Sequence, residues 1–204
     1  GIKRCLVAKF TGPHVLKLDI ETTPMQVLAW RLYQDNIGPD NIIKDRSILC
    51  AAWEWDYTHI GYPNMTGIHS CSVLDNKKRF AKDVYDDYSV IRTLHGVVNA
   101  ADLIITQNGD KFDLKIINTR CLKHGLPPIK PSLSVDTLKS LRKKFAMASN
   151  KLDYVGDFLD EGRKIHTTFK LWKDIVHPDS SIELREARLK EMLEYCKEDV
   201  ALLG

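Results

Sequence analysis

Between residues 83 and 136 the apolar pattern changes period several times, and this alternation restricts the folds open to the chain. Asp83 to Ala101 carries Val84, Tyr88, Ile91, Leu94, Val97 and Val98 near a 3.6-residue spacing, which predicts a helix. Leu103-Ile104-Ile105-Thr106 follows as a short apolar strand. Phe112 to His124 is a second helix, stopped by Gly125 and Pro127-Pro128. Leu133-Ser134-Val135 is a brief strand that runs into a helix opening at Asp136-Thr137. Upstream, the signals are strands without intervening helices: Val15 to Ile20, Val27 to Tyr33, Ile48 to Trp55 and, more weakly, Gly67 to Leu74. Gly38-Pro39-Asp40-Asn41 supplies turn chemistry among them. Further helices are expected over Lys151 to Leu159, Thr168 to Val176, and from about Ser181 onward. Strands in succession, then strands alternating with helices, require an α/β chain with a mixed sheet covered by helices. No linker or repeat asks for a cut, so residues 1–204 are read as a single domain.

Composition narrows the class. Apolar residues make up 44% of the chain and charged residues 28%, a balance that supports a packed core and disfavours a disordered chain. No apolar run approaches the ~18 residues of a membrane span, so no membrane association is expected. Gly1-Ile2-Lys3-Arg4-Cys5 lacks the apolar stretch of a signal peptide. Cys5, Cys50, Cys71, Cys121 and Cys196 are scattered without a C-x-x-C, which reads as reduced thiols and a cytoplasmic location. Thirty Lys and Arg against 27 Asp and Glu leave a net charge of +3, too small to identify a partner. No phosphate-binding glycine loop occurs, Cys121-x-x-His124 lacks a second ligand pair for zinc, and nothing fixes His166 near a site.

The acids are more informative. Asp19 and Glu21 lie two apart at the end of the first strand, so both carboxylates share one face. Paired carboxylates repel unless a cation lies between them, and such oxygen ligands suit Mg²⁺ or Mn²⁺. Asp113 follows a strand at the start of the next helix, in Asn108-Gly109-Asp110-Lys111-Phe112-Asp113. Tyr195 and Asp199 are four apart on a late helix and therefore on one face of it. Each motif alone has an ordinary structural explanation: a solvated strand end, a dipole-complementing acid, a packed Tyr. Together, in this order and at element ends, they can converge.

At these residues the sequence resembles the DEDD 3′–5′ exonucleases of the ribonuclease-H-like superfamily. Asp19 and Glu21 match the first motif, Asp113 the second, and Tyr195 with Asp199 the third; a Tyr four before the last Asp matches the DEDDy branch, which includes family B polymerase proofreading domains. The resemblance implies a ribonuclease-H-like fold, with a mixed five-stranded sheet flanked by helices. It implies two divalent ions, Mg²⁺ or Mn²⁺, held by Asp19, Glu21, Asp113 and Asp199, with Asp19 shared between them. It further implies an attacking water oriented by Tyr195, and stepwise release of nucleoside 5′-monophosphates from DNA. RNA is the alternative substrate, and a non-catalytic nucleic-acid-binding module the alternative role; a polymerase or other replication protein acting in trans is an implied partner. Asn108 stands where the family carries a substrate-contacting Asn, and Phe112, Thr22, Met25 and Lys111 are further candidates for holding the strand. Lys139, Arg142, Lys143, Lys144 and Lys151 form a local basic excess that could track phosphates.

Overall fold

A computed structural model describes residues 12–33, 36–57, 67–163 and 167–203; Cys5 and His166 lie outside the described residues. Strand β1 (Val15–Thr22) is the axis of the architecture. On one side it pairs antiparallel with β4 (Ile48–Asp56), which pairs antiparallel with β5 (His69–Ser72). On the other it pairs parallel with β6 (Leu103–Thr106), which pairs parallel with β7 (Leu133–Asp136). The result is a mixed five-stranded sheet of order β5-β4-β1-β6-β7. Short strands β2 (Gln26–Val27) and β3 (Ile42–Lys44) form a separate ribbon between β1 and β4.

The helices are α1 (Lys77–Lys82), α2 (Tyr88–Ala100), α3 (Asp113–Lys123), α4 (Thr137–Lys144), α5 (Leu152–Phe158), α6 (Phe169–Val176) and α7 (Ile182–Ala201). Leu16, Leu18 and Ile20 of β1, Ile48 to Ala52 of β4, Ile91, Leu94 and Val98 of α2, and Leu189, Met192, Cys196 and Val200 of α7 bury together in one core. Helix α7 packs on β4, β1 and β5, while α2 packs on β4, β5 and α3. Burial of these aliphatic side chains supplies the main driving force, about 25 cal/mol for each Å² removed from water. The expected α/β architecture, a mixed five-stranded sheet flanked by helices, is met.

The structure departs from the sequence reading in three places. Val27 to Tyr33 is not a strand: β2 stops at Val27 because its partner β3 is only three residues long, and Trp30, Leu32 and Tyr33 project into solvent. The strand expected to reach Leu74 ends at Ser72, whose hydroxyl accepts from Leu74 N–H while Asp75 accepts from Ser72 N–H, turning the chain into a 3-10 turn at Val73–Asn76 and then α1. The helix expected from Asp83 starts at Tyr88. Carboxylates of Asp83 and Asp86 accept from the N–H groups of Tyr85 and Tyr88, side-chain bonds that hold turns in place of helix.

Candidate active site

Three separate segments bring the acids together. Alternation along β1 sends Asp19 and Glu21 to the face covered by α7, where the Cys196 thiol donates to Asp19 Oδ2 at 3.3 Å. Asp199 lies one turn beyond Tyr195 on α7, and ligand oxygens of Asp19, Glu21 and Asp199 all fall within 4.8 Å of one another. Asp113 enters from the first residue of α3, and its Oδ1 accepts from Ile20 N–H, the amide between Asp19 and Glu21, at 3.2 Å. The turn before α3 is tightly built. A Cβ at Gly109 would collide with the Thr106 side chain, so only glycine lets the chain pass this close to the end of β6. Asn108 adopts a left-handed φ of 64°, and its N–H donates to Asp136 Oδ1 at 2.9 Å. Asp136 is almost fully buried and also caps α4 by accepting from Lys139 N–H.

The electrostatics of this cluster are those of carboxylates forced into company. Burial raises the Asp19 pKa well above its usual value, and Asp113, Glu21 and Asp199 raise it further; only the Cys196 hydrogen bond opposes them. Asp113 is pushed up to about 7, chiefly by burial, with Asp136 and Asp199 adding repulsion and the N–H groups of Asp113 and Ile20 favouring the charged form. Oxygen donors alone, crowded and desolvated, fit a hard divalent cation, whose charge would relieve the repulsion that raises these pKa values.

Two cavities flank the cluster. One of about 310 Å³ is lined by Asp19, Asp199, Gln107, Lys151, Leu152 and Asp153. Gln107 is held there by Thr137 Oγ1 and by its own bond to Asn150 O. The other, about 360 Å³, is lined by Thr22, Thr23, Pro24, Arg46, Phe112, Phe169 and Trp172. Its floor is fixed because Thr23 and Ser47 exchange hydrogen bonds and Tyr85 donates to Pro24 O. The Arg46 guanidinium lies 5.5 Å from the Phe112 ring centre, and Trp172 meets the Tyr195 ring edge-to-face at 6.4 Å.

The expected residues fall into groups. Asp19, Glu21, Asp113 and Asp199 converge, and Tyr195 is buried beside them on α7. Thr22 and Phe112 wall the larger cavity; Met25 lines a smaller one beyond it, with Arg46 and Ile116. Asn108 lies in the turn leading to Asp113. Lys111 is exposed and lines neither flanking cavity. Lys139 is ion-paired with Asp110 at 2.5 Å, which removes it from the basic track, whereas Lys151 lines the cavity that Asp19 and Asp199 border. Sequence reading gave no role to Arg46, Gln107, Trp172 or the Asp136 anchor. Arg46 and Trp172 carry no local signal, but Asp136, an acid ending an apolar strand, repeats the pattern of Asp19.

A mixed sheet of this order, with an acidic face at its central strand, defines a ribonuclease-H-like α/β protein. The chain belongs to the RNase H superfamily: the family model matches residues 62–203, which hold Asp113, Tyr195 and Asp199. No curated protein matches the sequence. Among solved structures, the family B DNA polymerase of the hyperthermophilic archaeon Pyrobaculum calidifontis is similar over 94% of this chain, with a TM-score of 0.58 and 14% identity. The chain spans 24% of that polymerase's length. Superfamily and carboxylate cluster together support a nuclease-type hydrolase with nucleic acid as substrate class. Among the described residues, no helix is long and apolar enough to cross a membrane.

Proposed function

We propose that the protein is a 3′–5′ exonuclease of the DEDDy kind, removing nucleoside 5′-monophosphates from the 3′ end of DNA. The observation that carries this reading is the convergence of Asp19, Glu21 and Asp199 within 4.8 Å, with Asp113 bonded to the amide between the first two. In this reading Asp19, Glu21, Asp113 and Asp199 hold two divalent cations, Mg²⁺ or Mn²⁺. Bound there, the cations would lower the pKa of the attacking water and neutralise charge on the departing 3′ oxygen.

The chain's own residues prepare that step. The Cys196 thiol and the Ile20 amide each fix one carboxylate, Asp19 and Asp113, before any substrate arrives. A phenol with an ordinary pKa near 10 is a poor base, so Tyr195 orients the water by hydrogen bonding and takes no proton. Thr22, Phe112, Trp172 and Arg46 receive the terminal nucleotide in the larger cavity, where aromatic faces suit any base. Lys151 lines the other cavity with Asp19 and Asp199 and, in this reading, offers its ammonium to the strand's phosphate. Asn108 and Met25 complete the contacts with the strand.

The test uses 5′-labelled single-stranded DNA and matching RNA with Mg²⁺, Mn²⁺ or EDTA, and Asp19→Ala as control. A metal-dependent ladder shortening from the 3′ end, absent in the variant, is expected on DNA. A ladder on RNA alone moves the substrate to RNA. Binding without cleavage of either strand replaces the exonuclease with a non-catalytic nucleic-acid module.

A further inference from the structure

Helices α1 and α2 meet at a notch that shares no lining residue with the cavities at the carboxylates. It encloses about 380 Å³ and is lined by Asn76, Arg79, Tyr88, Ser89, Arg92 and Thr93. Both guanidinium groups rest on one aromatic ring: Arg79 Cζ lies 4.7 Å from the Tyr88 centroid and Arg92 Cζ 5.9 Å. Stacking holds a guanidinium plane in place while leaving its N–H edge directed outward. Arg79 also approaches Asp86, with Nε 3.0 Å from Oδ2, but that Nε completes no hydrogen bond. The hydroxyl of Ser89 is likewise enclosed without a partner. An enclosed hydroxyl beside two guanidinium groups is poorly served by water-excluding packing alone, since it loses hydration and gains no acceptor, and the Arg79 Nε is answered only by the charge of Asp86. Helix α1 adds positive field, reading Lys77-Lys78-Arg79-Phe80-Ala81-Lys82.

We propose that this notch is a second binding site and takes a phosphate ester, with Arg79 and Arg92 on the phosphate oxygens and Ser89 donating a further hydrogen bond. Guanidinium forks match phosphate geometry bidentately, and a tetrahedral oxyanion presents enough acceptors for all three groups. The volume admits a phosphate with its sugar attached. Two sources carry that chemistry, a free mononucleotide and the backbone of a strand, and the inference stands whether or not the carboxylate site cleaves nucleic acid. Tyr88 also meets the His124 ring at 5.4 Å, so the notch abuts the contact between α2 and α3.

The experiment is isothermal titration of the full chain, in EDTA to prevent hydrolysis, with inorganic phosphate, thymidine 5′-monophosphate and a short oligothymidylate. Arg92 is exposed and forms no ion pair among the described residues, so Arg92→Ala leaves the fold intact. Phosphate affinity falls about tenfold in Arg92→Ala, less in Arg92→Lys, and falls also in Ser89→Ala, while Lys190→Ala, an exposed position on α7, binds as the parent. A parallel loss with the oligothymidylate identifies a strand as the ligand; a loss confined to phosphate and the mononucleotide identifies a free ester. Absence of phosphate binding by the parent, or equal affinity of Arg92→Ala and Lys190→Ala, overturns the proposal.

Discussion

Two buried aspartates in this molecule have opposite surroundings. Asp87, fully enclosed, accepts two bonds from the Arg120 guanidinium at 2.7 Å, one from Ile48 N–H at 2.9 Å, and contacts His124 Nε2 at 2.6 Å. It clamps α2, α3 and the start of β4, and its charge is answered from within the chain. Asp19, less fully enclosed, has carboxylates as its charged neighbours and a thiol as its hydrogen-bond donor. Both acids are buried, but only one is provided for by the protein. A buried charge that the fold completes itself does structural work, whereas one left among like charges is held at a cost to stability, as functional sites often are.

Substitutions separate the two regions. The largest effect falls on activity: Asp19→Ala reduces cleavage of a labelled strand to background, with circular dichroism unchanged. Retained cleavage in that variant removes Asp19 from the mechanism. Next, Asp87→Ala strands the Arg120 guanidinium in the core and costs about 3–5 kcal/mol in urea denaturation, because an unpartnered buried charge remains. A loss below about 1 kcal/mol would show that the clamp is not structural. Asp113→Asn goes the other way, stabilising the metal-free protein by about 1 kcal/mol, since it removes a repelled charge.

The acidic region also predicts a pH dependence. The folded pKa of Asp113, about 7, exceeds its ordinary 3.8, so the folded chain keeps a proton that the unfolded chain releases. Its contribution is therefore fully present below about pH 4 and is lost as pH rises through about 7. Metal-free melting temperature falls across that window, and Mg²⁺ at pH 8 restores it by binding the folded state. A flat profile would mean that the carboxylates are already neutralised. The smallest effect is Tyr195→Phe, which slows turnover less than Asp19→Ala because the carboxylates stay in place; equal losses would give Tyr195 a larger part.

The same contrast explains what could be read from residues alone. Periodicity located β1, β4, β6, α3, α6 and α7 within a few residues, because long apolar patterns are local. The ribbon was misjudged because Val27 to Tyr33 looks like strand, yet a strand needs a partner and only β3 was available. The acids could be ordered along the chain because each belongs to a local spacing: Asp19 and Glu21 two apart on a strand end, Asp113 after Asn108 and Phe112, and Asp199 four after Tyr195. Arg46 and Trp172 could not be found that way: they reach the cavity through the packing of α6 on α7 and the bonds between Thr23 and Ser47. Asp87 was invisible for the same reason, since its partners lie 33 to 39 residues away.

The bond between Cys196 and Asp19 joins residues 177 apart in the chain. During synthesis the first motif therefore leaves the ribosome long before the helix that completes it. Until α7 emerges and docks, the early carboxylates stand without Asp199, and in the proposed exonuclease such a chain is an inert one. In that reading, acquisition of activity is timed to the docking of α7, which keeps an unfinished chain from acting on whatever nucleic acid surrounds the translating ribosome.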